Sequence, residues 1–452
     1  VALCWVGLAA SVLIVFNLWP RMALAICFVC FLSFVSVAQD FSGYQSDGML
    51  LEAGFIALFF APAGMWPGLG RCSPSRASLF LLQWEWFRIY FESGVAKIAS
   101  GEPQWRNFTA MDQYYQNGPL PTWIGWYAQH LPHWFHAAAT AGTLVLELGL
   151  VWMLFLPRPW RIACFFIATA WQIPVILTAN YTFLNYLVLV LGFLLLDDRF
   201  IVRTLPGKWR KRVETGIENA KASAARTQES RERELAEVQS LRKRWTALRV
   251  AVAAVMLTWI LYVTTVEMLW MIWPRINWPR ATRAPVVALY PFRIANQYGL
   301  FAVMTRGRWE IEFQGSDDGQ NWVAYPFRYK PQDPRQAPGI YAPYQPRFDW
   351  NLWFASFGNW RENAIVPSAE EALLVNDPDV LALFAGNPFP QHPPKQVRAV
   401  LWQYWFTSLE EKRTQGLWWR RQLLGLYAPT LTRTADGRFG VVEWPVPASP
   451  RQ

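Results

Sequence analysis

Eight long apolar runs constrain this chain more than any other feature of its sequence. A helix that spans a bilayer needs about 20 predominantly apolar residues. Runs near that length lie at about 1–19, 22–38, 49–66, 78–99, 134–156, 160–179, 181–197 and 250–273. Only 16% of the 452 residues are charged, below the roughly 25% usual in soluble domains. The sequence therefore predicts a membrane protein with a polytopic α-helical bundle of about eight spans.

The first apolar run has no basic segment in front of it, unlike a secretory signal peptide. We therefore interpret it as a membrane span. Because Val1 already lies in or beside the run, we expect the natural protein to begin further upstream.

A basic linker at 200–249 sets the orientation of the bundle. Residues 197–249 contain 14 basic and eight acidic residues, which places the linker in the cytoplasm by the positive-inside rule. Its middle, 218–245, is rich in helix formers and poor in core residues, which predicts a solvated helix or a partly disordered segment. The basic excess is too scattered along the whole chain to indicate nucleic acid as a partner.

The remaining loops alternate in the way that this orientation requires. Arginines at 21, 71, 76, 158 and 161 fall on the cytoplasmic side, whereas loops 39–48 and 100–133 carry little positive charge. The predicted organisation is a bundle at 1–199 with the outer loop 100–133, the linker at 200–249, a final span at 250–274, and an outer domain at 275–452. The outer loop and the outer domain then share one compartment, the periplasm of a bacterium or the lumen of the endoplasmic reticulum.

The domain at 275–452 has the sequence pattern of a mostly β soluble fold with a few short helices. Residues 308–330 alternate apolar and polar side chains around an SDDG turn, which predicts a hairpin. We expect two short helices at 370–386, the second capped by Asp377 or Asn376. Residues 396–408 predict another strand, and 425–433 a closing strand or coil.

Charged side chains lie inside the predicted span 78–99. Glu85, Arg88 and Glu92 share one helix face, and intramembrane charges normally face protein or a water cavity. We therefore predict an intramembrane charge cluster formed by these three residues. Lys97 lies on another face near the outer rim. Two interpretations stay open: it snorkels to the interface, or it is a buried base or substrate anchor.

The sequence predicts no metal site and no cofactor. His130, His133 and His136 are three residues apart, but Pro132 interrupts their helix and no carboxylate or cysteine accompanies them. The SDDG segment lacks the further ligands of a calcium loop. All five cysteines lie outside the predicted outer segments, which argues against disulfide chemistry there.

Several long motifs resemble the lipase maturation factor family. They include ESGVAK at 92–97, WRN at 105–107, PLPT at 119–122, WYAQHLP at 126–132 and QDFSGYQSDGMLLEAGFIALFFAP at 39–62. Others are TANYTFLNYL at 178–187, GSDDGQNW at 315–322 and YQPRFDWNLWFASFG at 344–358. The resemblance spans about 39–430, and the basic linker favours a bacterial member.

The resemblance implies a multi-pass membrane protein that helps exported proteins, lipases among them, to fold and assemble. The expected role is thus chaperone-like and non-enzymatic. The expected partners are an exported, lipase-like client protein and membrane lipid. The expected location is the bacterial inner membrane with a periplasmic C-terminal domain, or the endoplasmic reticulum membrane with a lumenal one.

We predict that the client binds aromatic and polar residues of loop 100–133, because such surfaces suit recognition. The predicted partner-binding residues are Trp105, Arg106, Asn107, Trp123, Trp126 and Tyr127, with Trp134 beside them. The alternative for the tryptophans is an interfacial belt.

Two other functions stay open. One is a membrane enzyme for a lipid or quinone-like substrate, using Lys97, Glu92 and His130. In support of this alternative, the GVAK segment at 94–97 resembles transmembrane domains of the kind fused to vitamin K-dependent carboxylase, where a lysine is catalytic. The other is a scaffold subunit of a larger membrane complex.

Overall fold

A computed structural model describes residues 1–67, 74–211, 213–216, 218 and 239–446. Residues 219–238, the middle of the predicted linker, lie outside that set. The chain forms two compact units. The bundle unit contains Val1–Gly101, Leu144–Thr169 and Leu187–Ala302, and the sheet unit contains Glu102–Thr143, Ala170–Tyr186 and Val303–Gln452. The segments predicted from the sequence were divided by the side of the membrane on which they lie. The two units are instead groups of residues that pack together.

The chain is largely helical up to residue 287. Its α-helices there include α1 Ala2–Val15, α2 Pro20–Val37, α3 Gln45–Phe60, α4 Arg76–Ala99, α5 Pro103–Arg106, α6 Tyr114–Asn117, α7 Trp123–Gln129, α8 His133–Leu148, α9 Arg158–Thr178, α10 Leu184–Gly192, α11 Asp198–Thr204, α12 Gln239–Ile272 and α13 Arg280–Val287. Later helices are α14 Arg347–Ala355, α15 Ile365–Leu373, α16 Pro378–Leu381 and α17 Leu409–Gln415. Short 3₁₀ helices occur at Gln39–Phe41, Ala110–Asp112, Leu150–Phe155, Phe193–Leu195, Tyr290–Phe292 and Trp360–Glu362.

Four helical segments in the described residues are long and apolar enough to cross a bilayer. They are Pro20–Val37, His133–Phe155, Arg158–Thr178 and Arg244–Ile272, and they coincide with four of the eight predicted spans. Of the other predicted spans, three correspond to shorter helices and α4 carries several charges. The chain is thus a multi-pass membrane protein, and the part of it that the structure describes contains four helices of this kind.

Aromatic packing holds the middle of α4 inside the bundle unit. Phe87 is fully buried and meets Trp152 edge-to-face at 4.8 Å and Phe155 at 5.0 Å between ring centroids. Such tilted pairs add to the free energy gained by burying the rings.

The sheet unit is built on an antiparallel sheet. Its strands are β1 Arg308–Ser316, β2 Val323–Ala324, β3 Gln396–Phe406, β4 Trp419–Leu426, β5 Thr430–Arg433 and β6 Phe439–Glu443. The order is β2-β1-β3-β5-β6. Strand β4 also pairs with β3, along residues 400–406, whereas β5 pairs with residues 396–397 of β3. The buried residues Ile311 and Phe313 of β1 lie opposite Leu401 and Ala399 of β3. Helices α14 and α15 pack against this sheet.

Several local predictions for this region are confirmed. The hairpin forms between β1 and β2, and Asp318 accepts backbone hydrogen bonds from Gln320 and Asn321 in its turn. Asp377 caps α16 by accepting from Asp379 N at 2.9 Å. Two strands were not predicted, β4 and β6, because neither shows regular alternation of apolar and polar residues.

Candidate functional site

Glu85, Arg88 and Glu92 of α4 are all buried in the bundle unit, but Arg88 has a main partner outside this predicted trio. Arg88 on α4 is fully buried and forms ion pairs with Glu92, at 3.6 Å, and with Glu52 of α3. Glu85 instead faces the hydroxyl of Tyr298, which lies 3.5 Å from its Oε1. The sequence pattern missed Glu52 as the main partner because that residue lies on another helix, 36 positions away.

The cluster also binds an uncharged segment, residues 294–302, which we call the strap. Arg88 Nη1 donates to Asn296 O at 2.7 Å, and Tyr298 N donates to Glu92 Oε2 at 2.7 Å. Tyr298 also donates from its hydroxyl to Glu52 Oε2 at 2.9 Å. Burying a charge is costly unless it is paired and hydrogen-bonded, and the strap supplies several of the missing partners. Nothing in its uncharged sequence predicted that role.

Lys97 does not snorkel, contrary to one of the two predicted interpretations. Its side chain is 2% exposed, and its ammonium lies 2.8 Å from Glu147 Oε2 and donates to Leu300 O at 2.9 Å. Gly94, one turn earlier, allows this approach, because a Cβ there would lie 2.9 Å from Glu147 Cβ. These contacts are those of a structural ion pair that ties α4 to α8 and the strap.

The three residues of the enzymatic alternative each have their own partners. Glu92 pairs with Arg88, Lys97 pairs with Glu147, and His130 belongs to the sheet unit. His130 Nδ1 lies 2.7 Å from Trp126 O, and Nε2 lies 2.8 Å from Thr407 O. Both ring nitrogens of His130 therefore contact backbone carbonyl oxygens of the sheet unit.

Two of the predicted partner-binding residues, Trp105 and Trp126, are buried. Trp126 donates from its indole to Trp418 O at 3.1 Å and packs on His130, with ring centroids 4.2 Å apart. Both tryptophans therefore belong to the core of the sheet unit and not to an accessible surface.

The other predicted residues are accessible. Trp123 and Tyr127 project from α7 and are exposed, and Trp134 at the start of α8 is 70% exposed. Arg106 and Asn107 are also exposed. Asn107 lines a polar cavity of about 390 Å³ together with Gln104, Asp112 and Arg306 among others. We call Trp123, Tyr127 and Trp134 the exposed aromatic surface.

Arg308 attaches the loop at 102–143 to the sheet. It is fully buried at the start of β1 and donates to the carbonyl oxygens of Gln116 and Pro119, each at 3.1 Å, and to that of Gly118. Burial lowers the pKa of the Arg308 guanidinium, and the neighbouring Glu310 opposes that change.

Further buried charges lie beside Arg308. Glu310 pairs with Arg308 and with Lys330, the latter at 2.9 Å. Arg308, Glu310 and Glu312 alternate with apolar residues along β1, yet all three are buried. The strand is buried on both faces, which its own sequence could not show.

Comparison with known protein families decides which family the chain belongs to. A model described as the lipase maturation factor transmembrane domain matches residues 1–203, and one described as the lipase maturation factor C-terminal domain matches 294–429. Lipase maturation factor 1 of Bos taurus is 31% identical over 457 residues, covering 99% of this chain and 78% of its own length. The chain belongs to the lipase maturation factor family.

Other relatives agree with this assignment. Lipase maturation factor 2 of Gallus gallus is 30% identical and covers 96% of the chain and 72% of its own length. The human lipase maturation factor 2 is 29% identical over 89% of the chain and 68% of its own length. No solved structure matches the chain.

The two family domains correspond to features already described. The transmembrane model covers α1 to α11, including α4 with Arg88 and Lys97. The C-terminal model begins at the strap and ends just before β5. Strands β5 and β6 therefore lie beyond the part of the chain that the C-terminal model matches.

Proposed function

We propose that this protein is a membrane-embedded, chaperone-like assembly factor for exported proteins, with lipase-type clients. The names of its relatives support the client class. The observation that carries the proposal is that loop 102–143 and the C-terminal region form one compact unit, which keeps large aromatic side chains exposed.

The exposed aromatic surface is the proposed client contact. Trp123 and Tyr127 lie one turn apart on α7, whose buried Trp126 is anchored to Trp418. Rigid aromatic side chains offer large contact area at low entropic cost. An anchored helix that presents them suits the binding of a partly folded client, whose apolar residues are still exposed.

We further propose that the sheet unit faces the compartment opposite the cytoplasm, the periplasm or the endoplasmic reticulum lumen. The charge of the linker at 200–249 supports this orientation. Exported polypeptides and the proposed surface would then meet on the same side of the membrane.

Site-specific photo-crosslinking in the native membrane tests the proposal. A photoreactive phenylalanine analogue at Trp123, Tyr127 or Trp134 should crosslink to a co-expressed secreted lipase during its maturation. The same analogue at Trp209, which is also exposed but follows the proposed cytoplasmic end of the bundle, should not. Equal crosslinking at Trp209, or none at the three outer positions, would refute the proposed surface.

A functional assay complements the crosslinking. Trp123→Ala combined with Trp134→Ala should lower the yield of active secreted lipase while the amount of lipase synthesised stays unchanged. Lys97 has no free ammonium to offer a substrate in this structure, so Lys97 variants should affect the yield only through the stability of the protein.

A further inference from the structure

Strand β6 ends the sheet and is rich in exposed apolar side chains. Phe439, Val441 and Val442 of β6 and the following residue, Trp444, are all exposed. Phe439 and Val441 are two residues apart and therefore point to the same face. Exposed edge strands are usually blunted by lysine, proline, inward-pointing charges or bulges. The register of β6 shifts only beyond Val441, between Val441 and Glu443, so Phe439–Val441 is regular. Within β6 the only charged residue is Glu443, at its end.

The backbone of β6 has hydrogen-bonding groups directed away from β5. Thr434 N donates to Arg438 O at 2.8 Å, so these two residues form a hydrogen-bonded pair. Bonded and non-bonded pairs alternate along an antiparallel ladder. Thr432 and Gly440 are therefore bonded, whereas Phe439 and Val441 turn their N–H and C=O groups to the outer edge.

The other sheet edges are protected. Trp419 N, at the start of β4, donates to Pro334 O at 3.1 Å, and Arg420 and Arg421 follow on the same strand. Strand β2 has only two residues. Among the strands of the described residues, β6 is thus the edge best suited to accept another strand.

The charges along β6 favour one direction for a strand that pairs with its outer edge. Arg433 and Arg438 are exposed near its Phe439 end, where Asp436 offsets one of them. Glu443 lies at the opposite end, and Arg398 of β3 partly offsets its charge. An antiparallel segment complements this pattern when it has an acidic residue at its C-terminal end and a basic residue at its N-terminal end.

We propose that β6 binds an extended, apolar segment of a client polypeptide by antiparallel strand addition. The inference rests on the proposed function, because the segment belongs to a client that has not yet folded. Backbone hydrogen bonds provide affinity in this binding mode, and alternate side chains provide specificity. Strand β6 lies beyond the residues that the family's C-terminal model matches.

Peptide binding to the full-length protein in detergent tests this proposal. The probe is a fluorescent peptide with an N-terminal lysine, an alternating Thr-Val core and a C-terminal aspartate. One control exchanges the lysine and the aspartate, and another carries N-methyl groups on alternate amides, which block strand pairing. We expect the N-methylated control to bind at least about tenfold more weakly, the size that one or two lost backbone hydrogen bonds produce. The exchanged control should also bind more weakly, because its end charges then meet like charges along β6.

Matched variants locate the binding. Val441→Pro removes an outward N–H and should weaken binding of the probe by about tenfold. Val441→Thr keeps the N–H and the β-branched shape and should bind the probe like the parent protein. Trp123→Ala should leave probe binding unchanged, so that failure of the exposed aromatic surface and failure of this proposal are distinguishable.

Three outcomes would overturn the proposal. The N-methylated peptide could bind as tightly as the probe, which would indicate apolar adhesion without strand pairing. Val441→Pro could bind the probe normally, which would place the contact elsewhere. Finally, the parent protein could ignore the probe while Val441→Pro abolishes its self-association, which would assign β6 to a second copy of the chain.

Discussion

Gly94 shows how one residue controls helix packing in the bundle unit. A Cβ at this position would lie 2.9 Å from Glu147 Cβ and 2.9 Å from Leu148 Cδ2, closer than real Cβ contacts. Gly94→Ala should therefore destabilise the protein by about 1–3 kcal/mol through overpacking. Gly54→Ala is the matched control, because Gly54 is also helical and a Cβ there meets no atom within 4 Å.

The two glycine variants can be compared by thermal unfolding in detergent. Gly54→Ala should be neutral or stabilising by up to about 1 kcal/mol, since alanine is the better helix former. A lower melting temperature for Gly54→Ala than for Gly94→Ala would contradict the packing argument.

Asp349 makes the stability of the sheet unit depend on pH. Burial raises its pKa from 3.8 to about 6, although Lys330 opposes the change. Because the folded state then binds the proton more tightly than the unfolded state, the unfolding free energy falls as pH rises between about 4 and 6. The change is about 3 kcal/mol at most.

Asp349→Asn should remove this dependence. Its oxygen can still accept the hydrogen bond from Lys330 N, which Asp349 accepts at 3.2 Å. Relative to Asp349→Asn, the parent protein should melt at a lower temperature at about pH 7.5 than at about pH 5. Burial also raises the pKa of Glu370, so the test is the difference between the two proteins. An identical pH profile for both would exclude Asp349 as the source.

At the scale of secondary structure, ion pairs connect elements that are far apart in the sequence. Lys97 of α4 and Glu147 of α8 form such a pair, with side chains 2% and 12% exposed. Removing one partner of a buried pair leaves an uncompensated charge and costs about 3–5 kcal/mol. Lys97→Met and Glu147→Leu should each show a loss of that size.

The double variant tests whether the two residues act as a pair. Lys97→Met with Glu147→Leu should be more stable than either single variant, because no buried charge is left alone. Additive losses in thermal unfolding would show that the ammonium and the carboxylate are stabilised by other groups.

Arg308 also connects distant elements, because its buried guanidinium joins the loop at 114–121 to strand β1. Arg308→Met leaves the carbonyl oxygens of Gln116, Gly118 and Pro119 without their buried donor, which costs about 1–3 kcal/mol per unsatisfied group. Hydrogen exchange in residues 114–121 should accelerate as a result. Arg306→Met is the control, because Arg306 is largely exposed and its pair with Glu102 spans 3.6 Å. Equal exchange in both variants would refute this role of Arg308.

At the scale of the whole molecule, sidedness determines whether the proposed function is feasible. A reporter fused after residue 446 should be active on the non-cytoplasmic side, and one inserted within 219–238 on the cytoplasmic side. The physical basis is the excess of basic residues in the linker, which disfavours its translocation. A cytoplasmic C-terminal reporter would separate the exposed aromatic surface from every exported client.

The sequence by itself determined the features that local patterns encode. Apolar runs of membrane-spanning length predicted the multi-pass bundle, and alternation around SDDG predicted the β1–β2 hairpin. The cap at Asp377 and strand β3 were also predictable, because each depends on neighbours within a few residues. The long ordered motifs were sufficient to indicate the family.

The tertiary structure decided which polar and aromatic groups are buried and what they contact. Trp126 and Trp123 look alike in the sequence, yet only Trp126 is covered, by residues almost 300 positions away. Lys97, Arg88 and Arg308 are charged, yet all are buried, because partners from distant segments satisfy them. Burial and pairing depend on contacts between remote parts of the chain. No local pattern of residues can therefore predict them.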